Sequence, residues 1–202
     1  MTQSYPSLQS RVVHLDNALY HGPVRPKSAI DIIGWHSTRG HGASEAMQWD
    51  NRAHSDNPAC YNYVVDRDDK GTIYRTLADN LVPYSNGDAN WPDPLMYPPG
   101  NHHSINRRIL AIALAGDLDD APGKYKHVTP AQLESAWWLG KTVSEQFPYA
   151  DHVGHLETSP GRKDDPRPAF LHMSWWRAVL TESQCPTYDE YLDVHPLAAA
   201  HR

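Results

Sequence analysis

The chain has 202 residues, 40% of them hydrophobic, and a formal net charge of −6. That length supports one domain with a substantial core, and an acidic balance with no basic run excludes a protein built mainly to grip nucleic-acid phosphates. The opening residues MTQSYPSLQSRVVHLDNALY hold no signal-peptide core and no stretch is apolar for long enough to span a bilayer, so a cytoplasmic start without membrane insertion is expected. Cys60 and Cys185 are the only cysteines, with no CxxC pair, so both are expected reduced.

Residues 29–35, AIDIIGW, are apolar apart from Asp31 and predict a buried strand that delivers His36 to a sheet edge. A histidine there can equally cap the strand through a hydrogen bond. Residues 44–54 predict a short helix capped by Ser44. The alternating run from Tyr61 to Asp66, the turn signal DDKG and the strand formers of residues 72–75 predict a β-hairpin. Residues 81–104 form a long proline-rich segment with exposed aromatics, expected to be a rim of a binding site or to pack down through those aromatics.

Residues 109–116, ILAIALAG, form the most apolar short run and predict a central strand. Thr129-Pro130-Ala131-Gln132 then predicts a helix start, with Thr129 as cap, Pro130 in the first turn and Gln132 three residues after the cap. Leu133, Ala136, Trp137, Gly140, Val143 and Phe147 recur at helical spacing as its buried face, and Pro148 ends it. A last amphipathic helix is expected over residues 169–180, anchored by Trp175 and Trp176, and then a weakly ordered tail.

Between these helices lies HLETSPGRKDDP, residues 155–166. Its Pro-Gly step favours a loop, and a loop lets His155, Lys163 and Asp165 point at one spot. Imidazole and carboxylate are Zn²⁺ ligands, and a lysine beside them is a fixed positive charge for a developing oxyanion. The same residues can also be a solvated surface loop. His102, His103 and His152 are expected to face solvent.

In this order, the strand with His36, the YNYVV hairpin, the ILAIALAG strand, the TPAQ helix start and the HLETSPGRKDDP loop give the chain a resemblance to the zinc-dependent N-acetylmuramoyl-L-alanine amidases. That family includes phage lysozyme-type amidases, cytosolic muropeptide-recycling amidases and the peptidoglycan recognition proteins. The last loop carries the specificity: the family reads roughly HxxxxPxRKxDPGxxF, and this chain reads HLETSPGRKDDPRPAF. The resemblance implies a single α/β domain, a central mixed sheet flanked by helices, over residues 1–182, with 183–202 as a C-terminal tail.

It also implies that His36, His155 and Asp165 bind Zn²⁺, with catalytic Lys163 beside the metal. Tyr61 matches the tyrosine that phage-type members place there. Recycling amidases carry an acid on the central strand where this chain has Ala113, which favours the phage-like arrangement. Arg167 replaces a usual glycine. The implied reaction is hydrolysis of the amide joining N-acetylmuramic acid to L-alanine in peptidoglycan or muropeptides, with Asn86 and Asn106 as candidate substrate contacts and a monomer expected. A phage-type endolysin would reach the cell wall through membrane lesions. The alternatives are a recycling amidase or a non-catalytic peptidoglycan-binding module.

Overall fold

The computed structural model describes residues 10–16, 21–38, 43–44, 60–86, 105–117 and 127–195. One sheet runs in the order β1-β4-β3-β5-β2-β6. Its strands are β1 (Val12–His14), β2 (Ile32–Ser37), β3 (Tyr63–Val65), β4 (Ile73–Arg75), β5 (Ile109–Leu114) and β6 (Asp151–Gly154). Within it β3 and β4 pair antiparallel and the other neighbours pair parallel, which makes the sheet mixed, as expected. The α-helices among the described residues are α1 (Pro130–Gln146), α2 (His155–Thr158), α3 (Met173–Val179) and α4 (Tyr188–Val194).

The expected β3–β4 hairpin forms around the DDKG turn. Asp68 accepts from the Lys70 and Thr72 N–H groups at 3.2 and 2.8 Å, and Gly71 supplies the positive φ of 60° that a residue with a side chain adopts only with strain. β5 is central and buried along its whole length, with β3 on one side and β2 on the other. The strand over residues 29–35 begins later than its apolar run predicts: residues 27–29 are a 3-10 turn and β2 carries on through His36 to Ser37. His36 therefore sits inside a paired strand.

The two faces of the sheet differ in side-chain size. Ile33, Trp35, Leu110, Ile112 and Leu114 point to the face covered by α1 and α3, in one cluster with Leu133, Ala136, Trp137, Leu139, Val143 and Trp176. Each of those buried groups contributes roughly 1.5–3 kcal/mol, Ala136 less. On the opposite face the alternate residues toward the strand ends are small: Gly34 lies opposite Ala111 and His36 opposite Ala113. A Cβ on Gly34 would stand 3.4 Å from His36 Nε2 and 3.0 Å from Ile109 Cγ2, so its absence leaves room for the imidazole.

Helix α1 starts as its sequence predicts. Thr129 Oγ1 accepts from the Gln132 N–H at 3.2 Å and Gln132 Oε1 accepts from the Thr129 N–H at 3.4 Å. Gln132 does more than cap. Its buried Nε2 donates to the Val65 and Ala115 carbonyls at 3.0 and 2.9 Å, tying the helix to the ends of β3 and β5. Gln132→Leu keeps the volume but strands the Ala115 carbonyl, at roughly 1–3 kcal/mol, while the Val65 carbonyl keeps the Ala115 N–H. Urea unfolding is expected to show that loss as a lower midpoint with an unchanged slope.

His152 is half-buried, not solvent-facing as expected from sequence. Its Nδ1 accepts from Trp35 Nε1 at 2.9 Å and its Nε2 lies 2.8 Å from Ser144 Oγ, an arrangement that needs the neutral ring. Burial, and then the Arg177 charge, push it down from 6.5 to about 4. The folded state therefore binds this proton less readily than the unfolded chain does. The stabilisation is complete above about pH 6.5 and is lost as pH falls toward about 4, an effect on the order of 3 kcal/mol. Melting temperatures across that window are expected to fall more steeply for the wild type than for His152→Asn.

The last helix of the predicted core spans α3 only, shorter than residues 169–180, with Trp176 fully buried and Trp175 partly so. The segment expected as a weakly ordered tail is instead folded as far as His195. Thr187 and Glu190 form a capping box for α4, and Tyr191 and Leu192 are buried. The Tyr191 hydroxyl donates to the Phe170 carbonyl at 2.8 Å and accepts from the Val128 N–H at 3.0 Å. His195 Nε2 accepts from the His172 N–H at 2.9 Å. The predicted helix over residues 44–54 lies outside the described residues except for Ser44, as do His102, His103 and most of the 81–104 segment.

Candidate metal centre

Parallel pairing brings the two histidines together. β6 runs beside β2 with Gly154 opposite Trp35, so the next residue of each chain, His155 and His36, emerge side by side. Their ring centroids are 4.5 Å apart, close to the spacing of neighbouring strands. His155 opens the single turn of α2, a helical start where the sequence predicts loop throughout. The chain then turns back, and the Leu156 N–H donates to the Asp165 carbonyl at 2.8 Å. That return places Asp165 Oδ1 3.1 Å from His155 Nδ1 and Asp165 Oδ2 3.6 Å from His36 Nδ1.

One ligand atom from each of His36, His155 and Asp165 lies within 4.8 Å of the others, and all three residues are buried. Both ring nitrogens of His36 are buried without a hydrogen-bond partner among the described residues. Such orphaned nitrogens are costly unless something else satisfies them. Burial first, then the nearby His155, push His36 down to about 4 against the pull of Asp165, so its ring is neutral at pH 7. Burial alone would raise the Asp165 carboxyl; the contact with His155 and the proximity of His36 outweigh it and hold the group well below the usual carboxylate range. Neutral imidazoles and an ionised carboxylate are the protonation states a Zn²⁺ site requires, and three such donors leave a coordination position open.

The surrounding hydrogen bonds orient these donors. His155 Nε2 lies 3.3 Å from the Asn86 carbonyl, which can only accept, and Nδ1 faces Asp165; of the two neutral tautomers, the one protonated at Nε2 satisfies that carbonyl and leaves Nδ1 for a metal. Asn86 is itself fixed: its N–H donates to Asn106 Oδ1 at 3.1 Å, and its Oδ1 accepts from Thr158 Oγ1 at 3.0 Å. Both asparagines, named from sequence as substrate contacts, are buried and engaged in holding His155. Arg177 forks onto Glu157 at 2.8 and 3.0 Å, and Glu157 accepts from the Gly154 N–H at 2.8 Å, so α3 fixes the backbone that enters His155.

Tyr61 stands against the other side of His36, ring centroids 5.3 Å apart. Lys163 is partly exposed, and its charge is close enough to depress His36 further. Ala113, in register with His36, packs against Ala43 and Val64, so the central strand presents methyl groups where a recycling amidase would present a carboxylate. Asp117, Ser37 and Arg177 escaped the sequence reading. Each touches the site through a partner far away in the chain, and nothing local marks that.

The chain matches the family model described as N-acetylmuramoyl-L-alanine amidase over residues 26–168. The comparison with curated proteins gives no match. Among solved structures it is similar to the N-acetylmuramoyl-L-alanine amidase LysC from Clostridium intestinale URNW, with 20% identity and a TM-score of 0.59, covering 84% of this chain and 97% of that one. It is also similar to the Ph2119 endolysin from Thermus scotoductus MAT2119 bacteriophage Ph2119, with 15% identity, a TM-score of 0.51 and coverage of 91% and 98%. The E. coli amidase AmiD, in complex with the substrate anhydro-N-acetylmuramic acid-L-Ala-D-gamma-Glu-L-Lys, matches at 17% identity and TM-score 0.55, covering 81% of this chain and 62% of that one. At these identities the likeness is one of fold, and the family model spans most of the chain: the protein belongs to the N-acetylmuramoyl-L-alanine amidase family, whose members hydrolyse the peptidoglycan amide.

Proposed function

We propose that this amidase is zinc-dependent, with the metal held by His36, His155 and Asp165, and that it acts on polymeric peptidoglycan in the manner of a phage-type endolysin. The observation that carries the zinc reading is the buried cluster of these three residues, with both nitrogens of His36 lacking a hydrogen-bond partner among the described residues. When bound there, Zn²⁺ supplies Lewis-acid polarisation of the scissile carbonyl and acidifies a water molecule.

The chain's own groups do the rest. Asp165 and the Asn86 carbonyl fix the rotation of the His155 ring. Lys163, partly exposed and with its charge felt at His36, is suited to donate to the carbonyl oxygen as negative charge grows on it. Tyr61, packed on His36, is suited to orient the attacking water and pass its proton to the departing L-alanine nitrogen. The bond that breaks joins the lactyl carbonyl carbon to that nitrogen; water supplies the oxygen of the new carboxylate. Ala113 supports the tyrosine and lysine arrangement, because the central strand offers no acid to take the proton. Among the described residues no helix is long and apolar enough to cross a membrane.

Purified sacculi and a soluble anhydro-muropeptide, digested side by side by zinc-loaded protein, test the substrate. Solubilised sacculi whose fragments carry free lactyl carboxylates and free L-alanine amines are expected. Turnover of the soluble compound alone would establish a recycling amidase instead.

A further inference from the structure

The segment that delivers Asp165, residues 159–168, forms no strand or helix of its own, yet Asp165 must hold its carboxylate against two imidazoles. A closed ring of hydrogen bonds does this. The Ser37 N–H donates to Asp165 Oδ2 at 3.4 Å, and the Ser37 hydroxyl donates to Asp117 Oδ2 at 2.9 Å. Asp117 Oδ2 also accepts from the Arg167 N–H at 3.1 Å. The Arg167 guanidinium clasps Asp117 from both sides, Nε to Oδ1 at 2.7 Å and Nη2 to the Asp117 carbonyl at 2.6 Å. Arg167 is two residues past Asp165, and Ser37 is next to His36, so one buried carboxylate spans the two segments that carry the ligands. Asp117 adopts a φ of 72° to do so, a conformation uncommon outside glycine.

We infer that Asp117 and Arg167 are positioning residues for the metal: their clasp sets the distance between His36 and Asp165 and thereby the affinity of the site for Zn²⁺. This rests on the zinc reading above. The clasp lies behind the ligands: successive strand residues face opposite ways, so Ser37 Oγ points to the face away from His36. Arg167 therefore acts through Asp165 and does not touch substrate. The guanidinium fork is charge-assisted at both ends, and a lysine cannot reproduce its geometry.

The test is the zinc dissociation constant, measured by competition with a chelator, together with the visible spectrum of the Co²⁺-substituted protein. Arg167→Ala is expected to weaken zinc by roughly 10–100-fold and to shift the cobalt bands, as loss of an outer-shell partner does. Arg167→Lys is expected to recover only part of this. Ser37→Ala, which removes the hydroxyl and keeps the N–H, should weaken zinc several-fold and covers the case of Arg167→Ala failing to fold. Arg11→Ala breaks the partly exposed pair with Glu134 and should leave both readouts unchanged. Arg167 and Ser37 variants with wild-type zinc affinity and an unshifted cobalt spectrum, alongside a His36→Ala protein that has lost zinc, would overturn this inference alone. Retention of zinc by His36→Ala would overturn the metal reading and the inference with it.

Discussion

Asp165→Ala is expected to lose both zinc and turnover. The carboxylate is the one anionic donor of the cluster, and it sits 4% exposed beside the two imidazoles. Without it, two buried rings whose centroids are 4.5 Å apart remain to hold a dication with no compensating charge. The loss should exceed the roughly 10–100-fold in affinity that follows removal of an outer-shell partner. The fold should survive, because the main core lies on the other face of the sheet, among Trp35, Leu110, Ile112 and α1. Metal analysis and a peptidoglycan-release assay on the same preparation check this. Asp164→Ala, one position away, is expected to keep zinc, since Asp164 is not among the three clustered ligands. A zinc-replete Asp165→Ala protein with unchanged rate would contradict the assignment.

Lys163→Ala separates chemistry from metal binding. Its ammonium is not a ligand, so zinc content should stay at the wild-type level. Its charge reaches the cluster, as the further depression of His36 indicates. If that charge meets the developing oxyanion, its removal should lower kcat by on the order of 10²–10³ and leave KM within a few-fold. A variant with normal kcat and raised KM would make Lys163 a substrate-binding group instead.

Much of this was legible in the chain itself. β5 announced itself as an apolar run of eight residues, 109–116, and α1 by its capping box and the spacing of Leu133, Ala136 and Trp137. The His155, Lys163 and Asp165 spacing pointed to one spot because a Pro-Gly turn lies between them. What sequence concealed were contacts between distant residues. Asn86 holds His155 through a backbone carbonyl, which no side-chain pattern reveals. His152 is internal through its Trp35 and Ser144 partners, which nothing beside it in the sequence announces. Helix α4 has too few turns to show a period, although its cap, Thr187 followed by Glu190 three residues later, was there to be read. β2 extended past its apolar run because pairing with β5, which runs on to Ser37 opposite Leu114, sets where it ends.

Anomalous diffraction at the zinc edge, on crystals of the zinc-loaded protein, tests the three-donor site most directly. One peak per chain is expected, within bonding distance of His36 Nδ1, His155 Nδ1 and an Asp165 oxygen. No peak there, or a peak held by other residues, would contradict it.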